Sequence, residues 1–404
     1  MTQQMKNRNI LISGAGIAGP TLAYWLHQYG FKSTIVELYP EIRSGGHIID
    51  FWGVGYEVAE KMSMIESLQG ISYPFKEIVI RGDRGELKGK VDLKKTFDIA
   101  DGKLLSFLRS DLSKLLYDKT KEFTDYIFDD SITHMEQTKE GVNVTLKNHG
   151  EKKFDLVIGA DGLHSNVRSQ CFGKESEFEH FLGYYVALLR FDNFLGENFT
   201  STYTMHSMPG KQVAVFSLKE DKISVFMIFK HPKIEDLKER KSQEELIRSE
   251  YKDEGWVCSQ LIERLNSTSD YYFDSVSQIK MDSWSNQRIA LLGDAAFCPS
   301  LLAGQGAALA MAGAYTLAGE LYQAQGDYKV AFKNYEQFFK PFIQQRQKIA
   351  LKFVRSFIPS SHFKVWSRNL GTRLLSIPWL SELYWKRFLI DELTLKDYSD
   401  PSSH

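Results

Sequence analysis

The run Ile10-Leu11-Ile12-Ser13-Gly14-Ala15-Gly16-Ile17-Ala18-Gly19 sets an apolar stretch directly before glycines spaced GxGxxG. Few folds accommodate that order. Ile10 to Ser13 reads as a short buried strand, and a helical pattern runs from Ile17 to Tyr29, with Gly30 placed to end it. Lys32 to Glu37 reads as the next strand. Strand, glycine turn, helix and strand within about thirty residues make a β-α-β unit. There Gly14 permits the tight turn, Gly16 lets the backbone approach a pyrophosphate, and Gly19 lets helix and strand pack closely. The helix N-terminus adds unpaired N–H groups and the positive end of its dipole. Glu37 can accept hydrogen bonds from an adenosine ribose and would repel a 2′-phosphate, so the site suits FAD or NAD rather than NADP.

Two later stretches carry related signals. In DLVIGADGLHSNVR, Asp155 to Arg168, a strand ends in Asp161-Gly162, with Ser165 and Arg168 following. Alone, it reads equally well as a strand-to-turn transition with a capping Asp. LLGDAAFCPSLLAGQGAALA, Leu291 to Ala310, is apolar almost throughout yet contains Asp294. Arg288 to Leu292 reads as a strand ending at Gly293-Asp294, and Gly304-Gln305-Gly306 opens an Ala-rich helix through Ala307. An acid at a strand's carboxyl end can bind a ribityl hydroxyl, and a glycine-flanked helix start can face the polar edge of a flavin ring. The plainer reading is an Asp capping a turn. Asp294, Pro299, Gln305 and the glycines argue against a membrane span here.

With 404 residues, the chain suits two lobes or one elaborated α/β domain. Its net charge of -1 gives no reason to expect nucleic acid as a partner. Cys171, Cys258 and Cys298 form no CxxC pair, so they support neither a disulfide framework nor a metal site, and they suit a reducing cytoplasm. The polar start, MTQQMKNRN, lacks the apolar core of a signal peptide.

From Phe75 the pattern shifts to a hairpin turning near Asp83 to Gly85, then a helix from Ser110 to Thr120. Strand-like pieces follow at Tyr126 to Met135 and Gly141 to Leu146. Phe181 to Phe229 is strand-rich, Lys233 to Leu265 helical and charged, and Tyr271 to Trp284 extended. The α/β pattern returns at Ile289. The expected class is α/β: a Rossmann-like dinucleotide-binding domain (1–70, 98–172 and 282–345) interwoven with a β-sheet-based substrate domain (71–97 and 173–281). A C-terminal helical extension, 346–404, completes it. Lys348 to Phe388 is basic and aromatic, with Trp366, Trp379 and Trp385. It reads as helices bridging the domains over the substrate mouth. A membrane-surface helix is the competing reading, disfavoured because Pro359 and Pro378 divide the segment. Deletion from about Ser356 is expected to weaken substrate binding and leave FAD bound.

In this order and spacing the three motifs resemble the FAD-dependent group A aromatic hydroxylases, or single-component flavin monooxygenases, over nearly the whole chain. GAGIAGPTLAYWL, RSGGHIIDFWG, FCPSLLAGQG and GAYTLAGEL most resemble the tetracycline destructases within that family. The resemblance implies that Gly14, Ala15, Gly16, Ile17, Ala18, Gly19, Glu37 and Leu38 line the site for the ADP part of FAD. It implies that Asp161 serves FAD and NAD(P)H, and that Gly293 and Asp294 hold the ribityl chain. Arg109, in FLRSDL, matches a family arginine that contacts FAD, and Arg43 lies where the family places further contacts. Gly304, Gly306 and Ala307 would face the flavin. There are departures. Leu38 stands where the family often has Arg, Phe297 where it has His, and Pro299 comes one residue early. Ala307, Ala308 and Gly313 replace polar residues. These changes weaken inferences about ring contacts and substrate but keep the FAD site.

The implied reaction reduces FAD with NADPH or NADH, forms a flavin C4a-hydroperoxide with molecular oxygen, and oxygenates an electron-rich enol or phenolate. No catalytic side chain is expected, and no metal. With one GxGxxG, the nicotinamide cofactor is expected to visit a shared groove transiently. The substrate expected is a small molecule, tetracycline-like or an aromatic polyketide, and the protein a monomer. His47, Arg190, Met205 and His206, with the sheet aromatics Phe216 and Phe226, are candidates to border the cleft, although core packing or a solvated position is the plainer reading for each. Rival readings are a hydroxylase of another phenolic or polyketide metabolite and a quinone- or isoprenoid-directed flavoenzyme. A halogenase is disfavoured because no WxWxIP occurs. From another class, a flavin-binding redox sensor or carrier would oxygenate nothing.

Overall fold

A computed structural model describes residues 5–43, 45–93, 102–197, 199–235, 237–268, 270–374 and 393–398. The first strand, Asn9–Ser13, is buried from Ile10 onward, as befits a strand covered on both faces. It pairs in parallel with Lys32–Val36 and with Leu156–Gly159. The six-stranded sheet runs Ser285–Asn286, Ile289–Leu291, Leu156–Gly159, Asn9–Ser13, Lys32–Val36, Asp125–Ile127. Register aligns Ser13 with Gly159 and Gly159 with Leu291. Three segments distant in sequence therefore end side by side, and each runs directly into one of the three motifs. The carboxyl edge of a parallel sheet is where such folds bind ligands.

Helices Ala18–Gln28 and Gly306–Gln323 pack on each other beside this sheet. The second is buried at every position from Ala307 to Leu321, which accounts for its largely apolar, small-residue composition, with Glu320 the one charged residue in that span. A short antiparallel ribbon, Ile48–Phe51 with Leu105–Leu108, lies outside the expected strands.

The second lobe is a seven-stranded sheet ordered Tyr271–Ile279, Glu179–Asp192, Lys222–Lys230, Lys211–Ser217, Thr202–Met208, Glu77–Arg81, Leu87–Asp92. One face packs on Arg240–Tyr251 and Cys258–Glu263 through Ile247, Tyr251 and Leu261. The other receives Val354 and Ile358 from the end of the long helix Tyr328–Phe357. The same helix buries Ala331, Tyr335, Phe339 and Ile343 in the first lobe's core. It runs unbroken through the boundary expected at 345/346, and Pro341 does not end it.

The stretch expected as one strand from Tyr126 to Met135 is two, Asp125–Ile127 and Ile132–Gln137. Asp129 takes φ +54° between them, and buried Asp130 accepts from Ser131 N, Asn148 N and His149. The charged 233–265 segment likewise breaks between its two helices, where Trp256 has φ +54°. The 97/98 boundary, Pro378, Trp379 and Trp385 lie outside the described residues. Among those described, no helix is long and apolar enough to cross a membrane, and no His, Cys, Asp or Glu group could hold a metal.

Candidate active site

Gly14 donates its N–H to Val36 O (2.8 Å) at φ +107°, and a Cβ there would lie 2.5 Å from Ala160 O. A Cβ on Gly19 would lie 2.0 Å from Gly14 O, so only glycine lets the helix sit this close. Glu37 Oε2 accepts from Ala15 N (2.7 Å) and Oε1 from Tyr39 N (3.1 Å). The carboxylate is thereby fixed from both sides, and each oxygen keeps a lone pair for a ribose hydroxyl. Leu38 is exposed beside it, and the Arg43 guanidinium sits 4.5 Å above the Tyr39 ring.

At the second motif, Asp161 Oδ1 accepts from Ser165 Oγ (2.5 Å) and Oδ2 from Val167 N (3.0 Å). Burial nonetheless raises its carboxyl. Ser165 caps the next short helix by accepting from Arg168 N. Fully buried Arg168 donates to Ala295 O (2.9 Å) and Leu163 O (2.6 Å) and meets Glu175. One guanidinium thus bolts the DG turn to the GD turn. His164, in the same motif, bridges Glu175 Oε1 (2.9 Å) and Asp274 Oδ1 (3.1 Å). These partners raise its imidazole to about 10.

At the third motif, Asp294 opens the short helix Asp294–Phe297, and its Oδ1 lies 3.7 Å from where a Gly306 Cβ would stand. Burial raises this carboxyl; Arg109 and a hydrogen bond from the Cys298 thiol oppose the shift. Gly304 is left-handed and Gly306 begins the Ala-rich helix. Ser300, just before, holds φ +117°, a conformation strained for any residue with a Cβ.

Arg109 joins these pieces. Its backbone N–H donates to His47 O (3.0 Å), and its Nη2 stands 3.5 Å from where a Gly16 Cβ would be. Burial and Arg43 lower its guanidinium, while Asp294, Tyr272 and Glu37 offset them. Among the described residues its side chain has no hydrogen-bond acceptor and no ion pair. A cation poised over a glycine turn, between the acids Glu37 and Asp294, fits the pyrophosphate of a dinucleotide. Burial and Arg109 hold the His47 imidazole down to about 3, so it is neutral.

The large sheet presents one face to this edge. Register puts Tyr272, Leu188, Phe226, Ala214 and Met205 in one row. Arg190 and Phe216 flank Ser224 one step along the same face. Tyr203 stacks on Phe216 at 5.5 Å. Arg190 pairs with Asp270 (3.1 Å) and donates to Gly46 O (3.3 Å), latching the sheet to the RSGGH loop. His206 points the other way: it meets Arg81 O (3.1 Å) and Asp83 Oδ1 (3.4 Å) and lies near Trp256. Met205 and His206 are neighbours on a strand and face opposite sides.

The protein-family model for the FAD binding domain matches residues 7–345. A flavin-dependent monooxygenase of Legionella longbeachae is 33% identical over 358 residues, spanning 87% of this chain and 90% of its own. The chain is an FAD-dependent monooxygenase of the group A family. An uncharacterized protein of Mycobacterium tuberculosis is 36% identical over 349 residues, 84% of this chain and 92% of its own. The crystal structure of the tetracycline destructase Tet(55) is similar over 98% of this chain and 100% of its own, with 30% identity and a TM-score of 0.84.

The fold of this monooxygenase brings together the GxGxxG turn, Glu37, Arg43, Arg109, Asp161, Asp294 and the Gly304–Ala307 helix start. It places Arg190, Met205, Phe216 and Phe226 on one face, and His206 behind them. Sequence reasoning did not single out His164, Ser300, Tyr203 or Tyr272. A signal existed for His164, which sits inside the DLVIGADGLHSNVR motif.

Proposed function

We propose that the monooxygenase hydroxylates an electron-rich polycyclic enol or phenol and inactivates tetracycline antibiotics, using NADPH or NADH and molecular oxygen, as a monomer in the cytoplasm. Whole-chain similarity to a tetracycline destructase carries this reading. When bound, FAD supplies the redox and oxygen-activating chemistry. The GxGxxG turn and Arg109 receive its pyrophosphate, Glu37 its adenosine ribose, and Asp294 its ribityl hydroxyls. Ala307, buried at the helix start, keeps water from the reacting edge, while Phe297 packs into the core between Trp284 and Phe339. The sheet face of Met205, Phe216 and Phe226 offers a flat apolar wall to a fused-ring substrate, with Arg190 and neutral His47 at its margin. Residues 1–70, 98–172 and 282–345 form the FAD lobe, 71–97 and 173–281 the substrate lobe, and the Tyr328–Phe357 helix carries the bridge.

The test is NADPH oxidation by the FAD-loaded protein with and without tetracycline, with product mass measured. Tetracycline should accelerate oxidation, and the product should gain one oxygen. No acceleration and no oxygen gain would move the reading to a hydroxylase of another phenolic or polyketide metabolite.

A further inference from the structure

Ser300 is buried and holds φ +117° and ψ 141°, on the positive side that disfavours any residue with a Cβ. It opens the turn Leu301–Ala303, after which Gly304 and Gly306 lead into the Ala-rich helix. The torsion follows from one peptide plane, the one joining Pro299 to Ser300. Turned over, that plane would bring Ser300 to negative φ and relieve it. Something must hold the plane as it stands.

Two glutamines do so. Gln278, fully buried near the end of the large-sheet strand Tyr271–Ile279, donates its Nε2 to Pro299 O (2.8 Å) and to Gln347 O (2.9 Å). Gln347, on the long helix Tyr328–Phe357, donates in return to Ile279 O (2.7 Å) and reaches Cys298 O (3.3 Å) and Phe297 O (3.4 Å). A trans peptide sends its N–H opposite to its C=O. The Ser300 N–H accordingly turns away from the glutamines and meets the Cys298 sulfur. The Cys298 thiol lies between Asp294 and Ser277 O (3.6 Å). A chain of contacts therefore runs from the bridge helix to the acid at the sheet's carboxyl edge.

Holding the fold together does not account for these amides. Ile279 N already donates to Cys298 O (3.1 Å), which ties the loop to the strand. Gln278 Oε1 is buried and has no partner among the described residues. A buried amide left half satisfied opposes folding. So does the Ser300 torsion that it maintains.

Building on the reading that Asp294 holds the ribityl chain, we propose that Gln278 and Gln347 are positioning residues that lock the Pro299–Ser300 peptide in its strained setting. The lock aims the Ser300 N–H at the Cys298 sulfur and leaves the thiol to Asp294. With the plane reversed, Pro299 O faces the thiol, which then donates to that oxygen instead. One glutamine comes from the large sheet and the other from the bridge helix, so the FAD site is complete only when both are docked.

The experiment titrates FAD into the full-length FAD-free protein and follows the bound flavin's visible circular dichroism, with Tm measured before FAD is added. The forms are wild type, Gln278→Met, Gln347→Met, Ser300→Gly, Gln278→Met/Ser300→Gly and Asp294→Ala. Met matches Gln in length and cannot donate. Gln278→Met should weaken FAD binding about tenfold, because only the fraction with the unreversed peptide receives FAD. Its flavin dichroism should change as well. Its FAD-free Tm should stay level or rise as the strain relaxes, whereas a merely structural amide would lower it. Gln347→Met should act in the same direction. Ser300→Gly should bind FAD as wild type does, since glycine tolerates either setting. In the double variant, glycine should restore most of the affinity and the wild-type dichroism. Unchanged FAD binding by both Met variants, a lower FAD-free Tm of Gln278→Met, or no recovery in the double variant would each overturn the lock. Asp294→Ala separates the two readings. If it keeps FAD affinity while Gln278→Met loses it and glycine restores it, the lock stands and Asp294 is not its route to FAD. If Asp294→Ala alone loses affinity, the acid's role stands and the lock falls.

Discussion

Arg109 is a cation that has neighbours of opposite charge and bonds to none among the described residues. Glu37 and Asp294 attract it, burial and Arg43 oppose it, and Gly16 lies open beneath it. Such a charge weakens the fold until an anion completes it. Arg109→Leu should therefore leave the Tm of the FAD-free protein unchanged or higher. FAD binding should weaken about tenfold or more, since a hydrogen bond to a charged group contributes about 1.5–3 kcal/mol. Thermal unfolding with and without FAD reads both effects; a lower FAD-free Tm would instead make Arg109 part of the scaffold. Legibility at this scale depended on distance along the chain. The roles of Gly14, Gly16, Gly19 and Glu37 could be read because strand, turn and helix are local. Arg109 entered through family resemblance, since nothing in its own segment says that the ribbon carries it to Gly16. The proposed substrate wall was legible only by residue type. A strand's alternation shows that Met205 and His206 face apart, but not which one faces the cleft.

Among elements, the DG turn shows how much a short motif can fasten. Arg168 ties it to the GD turn, while His164 reaches Asp274 on the large sheet. Asp274 also accepts from Tyr272 on the cleft face (2.8 Å). Asp274 and Glu175 raise the His164 imidazole to about 10, so folding favours its protonated form. This stabilisation is complete below the unfolded value, about 6.5, and is lost as pH rises through about 10. His164→Ala should lower Tm near pH 6, and the gap should close toward pH 10. The gap should also shrink with salt, because the imidazole side chain is 56% exposed. A difference in Tm that ignores both pH and salt would mean that His164 acts through packing. The strand–turn–helix units were legible from periodicity. The break at Asp129 was not, because it is fixed by Asp130 bonding to a hairpin later in the chain. The ribbon was hidden for a similar reason: its two short strands acquire meaning only when paired.

At the scale of the whole molecule, the chain's late segments join both lobes and then return to the first. The Tyr328–Phe357 helix packs on the FAD lobe before meeting the large sheet, and Leu395 and Tyr398 re-enter the first core. They dock on GAYTLAGEL, the stretch that also marked the family resemblance. A Cβ on Gly319 would lie 2.3 Å from the Tyr398 ring, so the missing side chain makes the socket. Glu320, fully buried, is met there by Lys396 Nζ (2.6 Å) and Tyr398 Oη (2.9 Å), while Tyr315 Oη donates to Lys396 O (2.9 Å). The sequence showed an aromatic, basic tail but gave no sign of its destination, because the socket is a gap between side chains. The return changes what truncation tests. Deletion from about Ser356 removes the socket's plug as well as the bridging turn, so weaker substrate binding alone would not locate the cause. Deletion of 393–404 isolates the plug. It should lower stability by roughly 3–6 kcal/mol, the apolar burial of two large side chains, as an upper bound. The loss should appear with and without FAD, because Gly319 is about 20 Å along the helix from Gly306 at 1.5 Å per residue. KM for tetracycline should change little in this shorter deletion and rise in the longer one. Denaturant unfolding and steady-state kinetics on both truncations decide the matter: equal stability of the shorter deletion and the full chain would show that Leu395 and Tyr398 add nothing to the core.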